Sequence, residues 1–221
     1  MAIEELATRI PSSLVNRSGK VFYSGRNAFS SPSALYILGV NPGGAPDNHA
    51  TETIESHTNL VLHAFSADWS AYRDESWEGA KPGTYGMAPR VLHLLKQLGL
   101  NPGAVPASNL VFPRSRREAD ITRNDMTAMA NECWPFHESA LELLRPRVIL
   151  CFGQTAGTFV RRRLGANRVI GEFVEQNNRR WTSRAFAGSA GVNVVVATHP
   201  SIADWCAPST DVSWLVEKAL Q

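Results

Sequence analysis

The sequence is poor in cysteine, because its 221 residues contain only three, and no two of them form a CxxC pair. They are Cys133, Cys151 and Cys206. An odd, widely spaced set argues against a disulfide framework, a four-cysteine iron–sulfur cluster and a cysteine-based zinc site. Three histidines, His49, His57 and His63, also fail to match HExxH or another compact ligand motif. We therefore expect neither a metal nor another cofactor.

Long apolar runs and a strong charge of either sign are missing as well. No stretch approaches the ~20 apolar residues that span a bilayer, and the N-terminal MAIEELATRI carries acids where a signal peptide has an apolar core. The net charge of +2 does not by itself indicate a nucleic-acid-binding protein. Since 43 % of the residues are hydrophobic, we expect a folded protein with a core. The sparse cysteines and the missing apolar segments predict a cytoplasmic protein that does not contact membranes, and we expect a monomer.

Four continuous apolar runs predict buried parallel strands, because such strands do not alternate with polar residues. They cover residues 34–40, 108–112, 147–152 and 192–198. Helical patterns are found over residues 53–65, 88–98, 122–144 (broken or kinked near Pro135), 154–164 and 212–220. This alternation predicts an α/β fold, a three-layer α/β/α sandwich with a central, mainly four-stranded parallel sheet. We expect one domain over residues 1–221, with an insertion at about 45–86 that lies over the site.

Ligands gather at the carboxyl ends of parallel strands, and three polar turns follow predicted strands. They are Gly39–Gly44 (GVNPGG), Asn109–Pro113 (NLVFP) and Thr198–Ser201 (THPS). Taken singly, each has an ordinary interpretation: a strand-ending turn, an amide bonded to backbone and a structural histidine. A buried amide such as that of Asn109 needs partners, since an unpaired one costs roughly 1–3 kcal/mol.

Together the three turns resemble the motifs of the uracil-DNA glycosylase superfamily. GVNPGG resembles the G-x-N-P-G motif of the single-strand-selective monofunctional and mismatch-specific branches, THPS resembles the H-P-S motif, and NLVFP resembles the asparagine segment that recognises the base. Leu144–Ala156 (LRPRVILCFGQTA) resembles a strand and helix start of the same superfamily. The resemblance covers roughly residues 34–44 and 88–205.

The resemblance implies a monofunctional DNA glycosylase. Such an enzyme flips a damaged or modified base out of DNA, here uracil, a deaminated purine or a bulkier modified pyrimidine. It then hydrolyses the N-glycosidic bond without a metal and leaves an abasic site. By the same resemblance Asn41 orients the water, His199 faces the charge that develops on the leaving base, and Asn109 binds its Watson–Crick edge.

The remaining site residues follow from the same motifs. The base pocket is expected to include Pro42, Gly43, Gly44 and Phe112. Uracil-selective members place an aromatic ring shortly after the first motif, where this sequence has none, and Tyr85 is the candidate to replace it.

DNA contacts are expected from two segments. Arg114 and Arg116 follow the second predicted strand, where arginine supplies affinity for phosphate. The loop after the last strand is expected to enter DNA through Pro200, Ser201 and Ile202. Ile202 or Trp205 is then the wedge, although either fits a core position equally well.

Three alternatives stay open at this point. The first is a catalytically weak DNA-binding or modified-DNA-sensing protein on the same fold. The second is a phage-defence glycosylase that acts on hypermodified viral DNA. The third is a nucleotide-binding α/β protein that uses NPGG as a phosphate loop, which ranks last because GxxxxGK[ST] and GxGxxG are missing.

Overall fold

The computed structural model describes residues 3–188 and 191–221. In these residues the strands are β1 (Leu35–Gly39), β2 (Ala107–Asn109), β3 (Val148–Phe152), β4 (Arg168–Val174), β5 (Thr182–Ala187) and β6 (Asn193–Ala197). The helices are α1 (Ile3–Ala7), α2 (Ile54–Asn59), α3 (Ala71–Asp74), α4 (Ala88–Gln97), α5 (Arg123–Leu144), α6 (Gln154–Arg163) and α7 (Ser213–Leu220). A π-helical turn, Leu60–Ala64, continues α2.

One sheet contains all six strands, in the order β2–β1–β3–β6–β5–β4. The four strands β2, β1, β3 and β6 are parallel to their neighbours, which confirms the predicted parallel sheet. Strands β5 and β4 extend it in the antiparallel sense. No continuous apolar run indicated this hairpin, so the complete sheet is two strands wider than expected.

Helices α6 and α7 cover opposite faces of the sheet. The Asn193 side chain donates a hydrogen bond to the carbonyl of Ala219 in α7, with an N–O distance of 2.8 Å. On α6, a Cβ added to Gly157 would lie 2.4 Å from the Val196 side chain. Residues 193 and 196 of one strand point to opposite faces, because side chains alternate along a strand. The result is the predicted α/β/α sandwich.

Helix α5 continues through Pro135, where a break or kink was expected. A proline removes one backbone hydrogen bond from the ladder of a helix. Its neighbours Trp134 and Phe136 are buried, however, and Phe136 packs edge-on against Phe112. Burial of this face offsets the missing bond, so the helix is not broken there.

The segment 45–86 packs beside the N-terminal part of the chain. The Gly19 amide donates a hydrogen bond to the Glu52 carbonyl over 3.1 Å, and the Gly25 amide donates one to the Trp69 carbonyl over 2.7 Å. Ile54 is buried in the same core as the sheet. Within the described residues, no helix is both long and apolar enough to cross a membrane.

Candidate active site

A cavity of about 930 Å³ opens at the carboxyl ends of β1, β2, β3 and β6. Asn41 follows β1, Asn109 ends β2 and His199 follows β6, and all three line the cavity. The turns that were expected to converge therefore do so. Their convergence is a direct consequence of the parallel sheet, which brings the ends of these strands to one edge.

The Asn41 amide is fixed by two hydrogen bonds that leave its oxygen available. Nδ2 donates to the Pro42 carbonyl over 2.9 Å and to Ser115 Oγ over 2.8 Å. Ser115 Oγ in turn donates to the Arg117 carbonyl over 2.9 Å. Because both amide hydrogens are used, Oδ1 is the polar atom that the side chain can offer to a water in the cavity.

Asn109 is buried and lines the cavity, as do Gly39 and Tyr23. Its Nδ2 forms no hydrogen bond with any described residue. Tyr23 lies near the amide and also lines the cavity. Burial raises the pKa of Tyr23, while the positive charges of Lys20 and Arg114 partly oppose that rise. An unpaired buried donor is costly, so Nδ2 is placed to donate to an acceptor atom of a ligand.

His199 presents a neutral imidazole to the cavity. Its Nδ1 accepts a hydrogen bond from the Ser201 amide over 3.0 Å, which puts the ring proton on Nε2. Burial lowers the pKa of His199, and the negative charge of Glu118 acts in the opposite direction. The ring also packs edge-on against Phe152, with centroids 5.9 Å apart. At neutral pH this histidine is a fixed hydrogen-bond donor.

Compared with known protein families, residues 27–221 match the Uracil DNA glycosylase superfamily. The chain belongs to this superfamily. No curated protein matches it. The match confirms the resemblance at the level of the superfamily and supports a DNA-binding, DNA glycosylase-like protein in general terms. The closer likeness to the single-strand-selective and mismatch-specific branches stays a prediction.

Glu118 also lines the cavity, although it lies outside the sequence motifs and was not predicted from them. It follows β2 by nine positions in the chain, and among the described residues that line the cavity it is the one acid. One carboxylate oxygen accepts a hydrogen bond from the Thr155 hydroxyl at the start of α6. Its negative charge acts to raise the pKa of His199, against the larger effect of burial. The site therefore contains a carboxylate, although position 41 is an asparagine.

Arg114 belongs to a buried ion cluster behind the first motif. Its guanidinium donates to the Gly43 carbonyl and pairs with Glu52. Lys20 Nζ lies 3.1 Å from the other oxygen of Glu52 and also pairs with Glu75. With 9 % of Arg114 exposed, its charge is used inside the protein. The expectation that Arg114 contacts phosphate is therefore wrong, and its observed contact fixes the glycine turn.

Of the other residues predicted to contact DNA, three line the cavity and one is buried in its loop. Arg116, Ser201 and Ile202 line the cavity, and Ile202 is exposed. Pro200 is buried in the loop, and its carbonyl accepts a hydrogen bond from Arg90.

Ile202 and Trp205, the two candidates for the wedge, differ in burial within the same loop. Trp205 is fully buried, and its Nε1 donates to the Thr198 carbonyl over 3.1 Å. Asp204 lies 3.4 Å from Arg90 Nε, which compensates its charge. Trp205 is thus a core residue, whereas Ile202 is the exposed apolar side chain of this loop.

Several residues expected in the base pocket lie outside the cavity lining. Gly43 is in the lining, whereas Pro42 is buried and Gly44 packs against His49. Phe112 is fully buried between Phe136 and His137. Tyr85 is 48 % exposed and does not line the cavity, so the expectation that it replaces the stacking ring is not supported by its position.

The segment 45–86 contributes no residue to the cavity lining. The expectation that it lies over the site is therefore wrong. Glu52 and Glu75 instead connect it to the ion cluster behind Gly43, so the segment supports the first motif from the side. Across residues 3–188 and 191–221, no group of three or more histidine, cysteine or acidic side chains is arranged to hold a metal ion.

Gly39 allows Asn109 to lie where it does, which leads to a first prediction. A Cβ at position 39 would be 2.1 Å from Asn109 Oδ1, so Gly39→Ala must displace the amide. We expect the free energy of unfolding to fall by about 1–3 kcal/mol and base recognition to be lost, measured by urea unfolding and DNA-binding assays. Gly43→Ala is the matched control for stability, because nothing lies within 4 Å of its Cβ. Equal stability of both variants would contradict this account.

Proposed function

We propose that this protein is a monofunctional DNA glycosylase that binds an extruded base in the cavity and hydrolyses its N-glycosidic bond. One observation carries the proposal. Asn41, Asn109 and His199 line a single cavity, and the buried Nδ2 of Asn109 has no partner among the described residues. An acceptor on the edge of a base, such as a carbonyl oxygen or a ring nitrogen, satisfies that donor.

The chemistry follows from the free atoms of the site. As the bond between C1′ and the base lengthens, positive charge develops on the sugar and negative charge on the base. Asn41 Oδ1 accepts a hydrogen bond from the water whose oxygen bonds to C1′, and the proton that this water then loses passes to solvent, which leaves a neutral hydroxyl on the sugar. The electron pair of the broken bond leaves with the base, and His199 Nε2–H donates to the atom that gathers the charge. The Glu118 carboxylate stabilises the positive sugar.

The reaction ends at an abasic site. A lyase step requires a lysine amine to form a Schiff base with the sugar, and no lysine is among the described residues that line the cavity. Water is then the nucleophile, and we expect the free base and an intact sugar–phosphate backbone as products.

Substrates range from uracil and deaminated purines to bulkier modified pyrimidines. At about 930 Å³ the cavity lies near the upper end of the range of roughly 300–1,000 Å³ for small-molecule sites. This volume favours the inclusion of larger bases, and it is the observation that supports the second candidate, a phage-defence glycosylase for hypermodified viral DNA.

A base-release assay tests the proposal. Single- and double-stranded oligonucleotides carrying uracil, hypoxanthine, xanthine or a glucosylated pyrimidine are incubated with the protein. Released bases are identified by mass spectrometry, and abasic sites by alkaline cleavage. The double variant Asn41→Ala/His199→Ala controls for contaminating enzymes. Release of at least one base by the wild type alone is the expected result. Binding without release from any substrate would favour a DNA-sensing protein instead.

Glu118→Gln is expected to separate catalysis from binding. Loss of the negative charge beside the developing sugar cation lowers the single-turnover rate, by about 10-fold for a partly solvated charge. The same change removes repulsion of the phosphates, so DNA binding tightens. Both quantities are measured on the substrate found above. Asp120→Asn is the control, since Asp120 is exposed and does not line the cavity, and asparagine keeps an oxygen that can accept from the Arg117 amide. A rate that falls only together with weaker binding would contradict this role.

A further inference from the structure

Two exposed apolar side chains lie in the wall of the cavity. Six large hydrophobic residues are exposed in the described part of the chain, and of these only Trp181 and Ile202 line the cavity. Trp181, which directly precedes β5, is 42 % exposed. An indole ring that is accessible in the wall of a cavity is placed to contact an aromatic or apolar ligand.

Arg179 contacts the Trp181 ring and fixes its position. The centre of its guanidinium lies 4.4 Å from the centroid of the indole, which is a favourable cation–π distance. The same guanidinium donates to the Ile202 carbonyl over 2.6 Å and pairs with Glu175 over 3.2 Å. The arginine therefore ties the indole to the loop that carries His199 and Ile202.

Glu175 anchors this arrangement inside the protein. Only 2 % of Glu175 is exposed, and its Oε2 accepts from Asn177 Nδ2 over 2.9 Å as well as from Arg179. Its backbone amide donates to the Trp181 carbonyl over 2.9 Å. The turn between β4 and β5 is thus held at both ends, and little side-chain entropy remains to be lost when a ligand stacks on the ring.

We propose that Trp181 is the residue on which the extruded base stacks, an inference that rests on the proposed function. Asn109 offers hydrogen bonds in the plane of a base, whereas an indole offers a flat surface to its face, so the two contacts are complementary. The antiparallel hairpin that widens the sheet brings this ring to the site. The stacking surface does not discriminate strongly between bases, because every base has a π face.

The test compares DNA with and without a base at the target position. One set of fluorescein-labelled oligonucleotides carries 2′-fluoro-2′-deoxyuridine or 2′-fluoro-2′-deoxyinosine, whose fluorine opposes positive charge on the sugar and so prevents cleavage. The other carries tetrahydrofuran at the same position. By fluorescence anisotropy we expect Trp181→Ala to weaken binding of a base-containing probe by about 5- to 150-fold, with little change for tetrahydrofuran DNA. Trp181→Phe should bind nearly as the wild type does.

Trp214→Ala is the matched control, because Trp214 is 46 % exposed on α7 and lies outside the cavity lining. It should bind all probes as the wild type does. An equal loss on both kinds of DNA in Trp181→Ala would place the ring on a neighbouring nucleotide and overturn the proposal, as would no loss on any probe. The probes are not cleaved, so the result does not depend on whether the protein proves to be a hydrolase.

Discussion

Replacing Asn41 by alanine is expected to lower the single-turnover rate of base release by about 100- to 1,000-fold, the usual effect of removing one preorganised polar group from an active site. The Asn41 amide is committed to the Pro42 carbonyl and Ser115 Oγ through Nδ2. Its Oδ1 is therefore held in one orientation before the substrate binds. A water bound to this atom loses its position in the variant, while DNA binding should change little.

Ser115→Ala provides a graded comparison for this prediction. It removes one of the two acceptors that fix the Asn41 amide, so the amide should rotate more freely and the rate should fall by about 10-fold, with Oδ1 still present. Rates are measured with enzyme in excess, together with dissociation constants for the DNA. A normal rate in Asn41→Ala at unchanged affinity would remove Asn41 from the mechanism.

The sequence was sufficient to predict those parts of the site that directly follow apolar strands. Asn41, Asn109 and His199 each stand at the end of a continuous apolar run, and the buried parallel sheet brings such ends together. The four runs correspond to β1, β2, β3 and β6. Strand position and the order of short motifs were therefore enough to predict the cavity without knowledge of its walls.

The walls of the cavity depend on contacts between residues that are distant in the chain, and local sequence patterns do not reveal such contacts. Arg114 resembles a surface arginine until Glu52, which is distant in the chain, is seen to pair with it. Strand β4 is an exposed edge with a bulge between Val169 and Gly171, so it has neither the continuous nor the regularly alternating pattern of a buried strand. Trp181 could not be assigned to the site without the hairpin that carries it.

Two buried histidines are expected to make the fold unstable in mild acid. Burial lowers the pKa of His57 to about 3 and that of His137 to about 4, with Lys20 and Arg114 adding to the shift at His57. In the unfolded chain both titrate near 6.5. Their contribution to stability is complete above pH 6.5 and is lost as the pH falls towards 4, because only the unfolded chain then binds the two protons. Urea unfolding should give a free energy roughly 4 kcal/mol lower at pH 5 than at pH 7.

His57→Phe isolates half of this effect. His57 is 2 % exposed between Phe65 and Trp69, and neither ring nitrogen has a hydrogen-bond partner among the described residues. Phenylalanine removes the unpaired polar atoms and the titration together, so stability at pH 7 should be kept and the loss between pH 7 and pH 5 should be about half that of the wild type.

His137→Phe is the contrasting variant, because His137 does have partners. Its Nδ1 lies 3.0 Å from the Tyr36 hydroxyl, and its Nε2 lies 3.2 Å from the Leu110 carbonyl oxygen. The substitution leaves these two groups unpaired, so it should lower stability at pH 7 while it reduces the dependence on pH. If both variants keep the slope of the wild type, the acid sensitivity arises from other titratable groups, and the two histidines are not its cause.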